Sequence, residues 1–159
     1  MLNRRFLVLA AAVAALAGCA TSPTPVSVAD TIAAQPQLST LNGLVAKAGL
    51  TDTLKGTGPY TVFAPTNAAF AKVPAKTMDD LAKDPAKLKA VLNYHLIPGK
   101  LMAADVKNGD KKTVNGANVA LSKAGEFVTV EEAMVQTADI SATNGVVHVV
   151  DAVLIPPAR

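Results

Sequence analysis

The stretch YTVFAPTNAAF, residues 60–70, decides how the chain is read. Tyr60 to Ala64 are mostly strand formers. Pro65 cannot donate to a ladder, so the strand ends there. Thr66 carries a hydroxyl suited to capping the small-residue helix that follows, with Ala69, Phe70 and Val73 on its apolar side. Strand-to-helix corners also hold catalytic nucleophiles, which makes Thr66 a candidate for chemistry. A threonine nucleophile needs a base, and the chain offers only His95 and His148. No Gly-x-Ser-x-Gly elbow accompanies them. Thr66 therefore reads as a structural helix cap, and no catalytic residue is assigned.

Outward from this corner the two halves of the chain differ. Ser39 is expected to cap a helix carrying Leu41, Leu44, Val45 and Ala48, which Gly49 stops. Residues 50–59 read as a helical turn and loop. Thr77, with Asp80 three residues on, predicts another cap. Asp84-Pro85 predicts a helix running to about His95, with Leu88, Val91, Leu92 and His95 on one face. Beyond Leu101 the pattern turns to strands. Segments 112–114 and 118–121 flank the hairpin signal Asn115-Gly116, and 127–130 and 134–137 follow. After Asn144-Gly145, residues 146–155 read as the longest strand, apolar on both faces and so central. Helices first and strands second predict an α+β fold.

The start of the chain reads as export signal. Arg4 and Arg5 precede an apolar run from Phe6 to Ala17, too short to span a membrane as a mature helix. It ends in Leu16-Ala17-Gly18-Cys19, which resembles the lipoprotein processing site at which the cysteine is acylated, with palmitate-type chains, and becomes the new N-terminus. Residues 1–19 are thus expected to be a lipoprotein signal peptide and 20–27 a tether rich in Thr, Ser and Pro. A single cysteine excludes an internal disulfide. Ala20, rather than an aspartate, after the cysteine resembles the sorting signal for an outer membrane. Localisation on the periplasmic or outer face of the envelope is expected.

Composition bounds the partners. Half of the 159 residues are apolar and 17% are charged, enough apolar content for a sizeable core. The 15 basic residues fall to 13 against 12 acidic once Arg4 and Arg5 are removed, a net of +1. The lysines are scattered, without interleaved aromatics, so nucleic acid is not expected as a partner.

Three segments carry a family likeness: YTVFAPTNAAF (60–70), VLNYHLIPGKL (91–101) and NGVVHVVDAVLIPP (144–157). In order and interval they resemble the hallmark segments of the fasciclin domain, over residues 28–157. The resemblance implies a β-sandwich or wedge of roughly seven strands flanked by short α-helices. It also implies extracellular adhesion or matrix contact by one domain, without enzyme activity and without a cofactor. Tyr94 and His95 match the family's Tyr-His segment, and Asp139 and Ile140 resemble its adhesion dipeptide. These four are the candidate binding residues. The residue types alone leave each of them a scaffolding role too.

His148, between valines, reads as a buried structural residue, and its distance from His95 carries no metal signature. The acidic pairs Asp79-Asp80 and Glu131-Glu132 are adjacent residues, which in a helix or strand point in different directions and do not make a paired-carboxylate catalytic site. The expected partner is a protein or polysaccharide at the cell surface, met by a monomer held to the membrane through lipid on Cys19. The alternative is an envelope enzyme or small-ligand carrier. It requires a pocket containing His95 or His148 with a convergent polar group.

Overall fold

A computed structural model describes residues 26–156; the predicted signal segment, Cys19 and most of the tether lie outside them. Helix α1 (Val28–Ala33) is capped by Ser27, whose hydroxyl accepts the Asp30 N–H. A 3-10 turn at Pro36–Leu38 leads into α2 (Ser39–Lys47), followed by α3 (Thr51–Lys55). Strand β1 (Tyr60–Pro65) turns into α4 (Asn67–Lys72), and α5 (Ala75–Lys83) and α6 (Pro85–Tyr94) complete the helices. The strands β2 (Leu96–Pro98), β3 (Gly109–Lys112), β4 (Asn118–Ala124), β5 (Phe127–Val130), β6 (Ala133–Ala142) and β7 (Gly145–Val150) follow.

The seven strands run in one spatial order, β2-β1-β7-β6-β5-β4-β3. The sheet curls until its ends meet: the Val114 N–H, just past β3, donates to the Leu96 carbonyl of β2 at 2.8 Å. The expected α+β class, with seven strands and short flanking helices, is therefore present as a single curled sheet. All pairings are antiparallel except β1 with β7, which run parallel from Tyr60↔Gly145 to Pro65↔Val150. That crossover carries the three helices α4 to α6, as a parallel connection requires.

β1 and β7 form a wall between two cores. Val62, Ala64, Val147 and Val149 face the helices and meet Ile32, Leu41, Leu88 and Leu92. Phe63 and Val150 face the inside of the curl and meet Val119, Val128, Val130 and Ile97. Burial on both faces explains why both strands are apolar nearly throughout, with Thr61 and His148 the polar exceptions.

Several local expectations are corrected. Ser39 does not cap α2, because the preceding 3-10 turn already continues the helical path. The Asn67 side chain, from α4, takes the Thr40 N–H instead at 3.0 Å. Thr77 caps nothing, since α5 has already begun at Ala75, behind Pro74. The last strand stops at Val150 rather than Ile155, and β6, at 10 residues, is the longest. The Asn115-Gly116 turn lies in a wider loop closed by Thr113 N–H to the Ala117 carbonyl at 2.9 Å. Asp84 does cap α6 through the N–H groups of Ala86 and Lys87.

Asn144 ties the start of the described chain to its end. Its Oδ1 accepts the Val28 N–H at 2.8 Å, and its Nδ2 donates to the carbonyls of Leu54 at 2.7 Å and Gly56 at 2.8 Å. Beside it the backbones approach so closely that a Cβ on Gly145 would collide with the Tyr60 carbonyl. Asn144→Ala is predicted to destabilise the protein by about 2–3 kcal/mol, since three partly buried backbone groups lose their partners. Asn115→Ala, in the open turn, is predicted to stay within about 0.5 kcal/mol. Urea unfolding midpoints check the pair, and equal losses at both positions would contradict the role given to Asn144.

Candidate functional site

The candidate residues fall into separate assemblies. Thr66 follows β1, is itself buried, and accepts the Ala69 N–H at 3.2 Å, so its hydroxyl is spent on the first turn of α4. His95 ends α6 and is only 2% exposed. Its Nδ1 lies 2.8 Å from the Val91 carbonyl, and its Nε2 accepts the Leu154 N–H at 3.0 Å. A carbonyl can only accept and an amide N–H can only donate. The proton therefore sits on Nδ1 and the ring is neutral. Burial pushes its pKa down to about 4, against a smaller opposing pull from the Val91 carbonyl.

His148 has the opposite tautomer. Its Nδ1 accepts the Asp139 N–H at 3.2 Å and its Nε2 donates to the Leu101 carbonyl at 2.8 Å. The ring stacks on Phe63 with centroids 5.6 Å apart. Burial lowers its pKa, partly offset by the Leu101 carbonyl and the charge of Asp139. All four ring nitrogens are thus engaged with backbone, and neither histidine has a free lone pair for base or ligand chemistry. Among the described residues no three His, Cys, Asp or Glu side chains are grouped to hold a metal ion.

Asp139 sits where the β6–β7 register slips, with φ of 58°. The slip frees its N–H from the ladder, and His148 takes it. Its carboxylate accepts the Ala103 N–H at 2.8 Å, holding the loop after β2. Ile140, half-buried, pairs with Val147 and packs against the helix-side core. Tyr94 is buried, with its hydroxyl 3.0 Å from the Asn118 carbonyl and 3.1 Å from Glu131 Oε1. Burial, followed by the hydrogen bond and charge of Glu131, pushes its phenol up to about 12. Tyr94 and Asp139 therefore belong to different networks, although His148 and Asp139 share one.

Glu131 carries more than the sequence suggested. It turns the chain between β5 and β6 with φ of 54°. Its N–H donates to the Ala120 carbonyl at 2.7 Å, and its Oε1 accepts the Ala120 N–H at 2.9 Å. It also borders a cleft of about 460 Å³ lined by Tyr94, Asn118, Glu132 and the segment from Ala152 to Ile155. Neither histidine lines this cleft. His95 touches a separate apolar void of about 10 Å³, at most the size of one water.

A protein-family model described as "Fasciclin domain" matches residues 36–156. The chain is 39% identical over 140 residues to Protein sll1483 of a Synechocystis strain, covering 87% of this chain and 78% of that protein. It is 39% identical over 142 residues to the Immunogenic protein MPB70 of Mycobacterium bovis, covering 86% and 72%. It is also 38% identical over 149 residues to the Cell surface glycolipoprotein MPB83 of that species, covering 91% of this chain and 65% of that one. A solved FAS1 domain pair from the insect cell adhesion molecule Fasciclin I shares the fold, with a TM-score of 0.65 at 19% identity. That match covers 82% of this chain and 51% of the other.

The protonation states give a test. A neutral buried histidine binds its proton more weakly folded than unfolded, so the unfolded chain gains protons first as pH falls. Stability from His95 is complete above its ordinary pKa near 6.5 and is lost as pH falls from there to about 4. The loss is about 3 kcal/mol for that ring alone, and His148 acts in the same direction. Histidine ring NMR should find His95 neutral down to about pH 4. Titration near its ordinary value, or equal urea stability at both ends of that window, would refute the assignment.

Proposed function

Because the chain belongs to the fasciclin-domain family, we propose that it works as a lipid-anchored domain of the cell envelope. It binds its target non-covalently, in adhesion or in contact with surface or matrix material. The observation that carries this reading is the engagement of every imidazole nitrogen and of the Thr66 hydroxyl with backbone. With those groups committed to scaffolding, what remains to meet another molecule is the exterior.

The anchor rests on Leu16-Ala17-Gly18-Cys19 and the Pro-containing tether after it. A relative named as a cell surface glycolipoprotein supports it. Two or three acyl chains, at about 0.8 kcal/mol per buried methylene, hold a protein on a membrane durably. Among the described residues no helix is long and apolar enough to cross one. The target is a protein or polysaccharide. Tyr94, His95, Asp139 and Ile140 contribute by fixing the surface above them, since the first two are buried and the others half-buried.

Wild-type cells, a deletion strain and a Cys19→Ser strain distinguish the parts. Deletion is predicted to abolish adhesion or aggregation. Cys19→Ser is predicted to lose the acyl mass and to move the protein out of the membrane fraction. Unchanged adhesion after deletion would overturn the binding role, and unchanged fractionation of Cys19→Ser would remove the anchor.

A further inference from the structure

The cleft beside Tyr94 is lined by two kinds of residue. Tyr94, Glu131 and Glu132 are its polar members. The segment from Ala152 to Ile155 is apolar, and its last residue is 53% exposed. Its volume of about 460 Å³ lies within the range of small-ligand sites. We propose that this cleft binds an organic cation carried on an apolar arm, that is, a primary ammonium or guanidinium on an alkyl chain. The proposal rests on the non-covalent binding role given above and names the ligand chemistry.

The charge balance of the walls decides the sign. Among the described residues the ion pairs join Lys55 to Asp30, Lys72 to Asp151 and Lys87 to Asp84; no lysine or arginine reaches either glutamate. Oε1 of Glu131 is used by the Tyr94 hydroxyl and the Ala120 N–H, while among the described residues no hydrogen bond engages its Oε2. An anion would meet two like charges, and a purely apolar ligand would desolvate them without return. A bare metal ion would find too few ligands. An alkylammonium suits both kinds of lining: its charge the carboxylates, its chain the exposed Ile155.

Val26 leaves the domain bonded to Thr143, at the opening end of β7, through the Thr143 N–H at 2.9 Å. The cleft follows the closing end of the same strand, which lies about 17 Å further along at about 3.3 Å per residue. The first described residue and the cleft thus lie towards opposite ends of β7.

The test is a titration of the full-length chain in non-ionic detergent, followed by amide NMR. Three probes are used: hexylammonium, hexanoate, and a neutral-backbone pentapeptide with one central lysine. Hexylammonium is expected to give saturable shifts at Ala120, Glu131, Glu132 and Leu154, weakened by salt. Hexanoate is expected to give none. Glu131→Gln with Glu132→Gln is expected to weaken binding roughly tenfold or more. Its thermal midpoint is expected to hold, since Gln at 131 still accepts from Tyr94. Binding of the peptide as tightly as hexylammonium identifies a polypeptide side chain as the source, and exclusion of the peptide identifies a free amine. No saturable shift, equal binding of hexanoate, or undiminished binding by the double variant overturns the proposal. Such a failure leaves the cell-adhesion reading to its own experiment.

Discussion

β1 and β7 run side by side with packed apolar layers on both faces, and a backbone in that position has no water to satisfy it. Within the ladder the strands satisfy each other. Trouble arises where the ladder is interrupted or ends, and at several such places a side chain supplies the missing partner. His148 takes the N–H released at the β6 slip. His95 takes the Leu154 N–H, where the chain has left β7. Asn144 serves the corner before β7, and Asn67 serves the start of α2. The polar interior of this protein is largely a response to that one double-sided wall.

The two imidazoles show how the same residue answers two versions of the problem. Each stands between one carbonyl and one amide N–H, but with the ring positions exchanged, so the tautomers are opposite. A histidine is suited to this because its neutral ring offers one donor and one acceptor at a fixed separation. The arrangement works only while the ring is uncharged, which excludes the proton traffic that makes histidine useful in catalysis. Ionisable groups with room to act lie elsewhere, around Glu131 and Glu132, where the sheet opens to solvent.

Local chemistry was legible in the sequence where it depends on neighbours. The Pro65-Thr66 corner, the Asp84-Pro85 helix start and the Asn144-Gly145 turn are readable because cap and capped group lie within a few residues. Ser39 misled because its cap is replaced by Asn67, 28 residues away in sequence. In the stretch 146–155 the one sign of the break is Asp151, directly after the last strand residue, and it is masked by the apolar residues Ala152 to Ile155 beyond it. Tyr94, His95, Asp139 and Ile140 could be singled out by type and by family likeness. Their partners could not, because these are mostly backbone groups on other elements, such as Leu154 for His95 and Ala103 for Asp139. Glu131 was invisible as a turn residue: by type it is the same as Glu132, and its backbone angle and its bonds to Tyr94 and Ala120 appear only in the fold.

The bond from the Val28 N–H to Asn144 spans 116 residues, and β1 cannot gain its parallel neighbour until β7 exists. Helix α1 and β1 therefore lack their β7 contacts until nearly the whole chain has been made, although α1 already has α2 and α3 beside it and β1 has β2. Contacts so distant along the chain are slow to form and cannot be assembled piecemeal from the N-terminal end. The wall between the two cores is thus complete only once β7 has paired with β1.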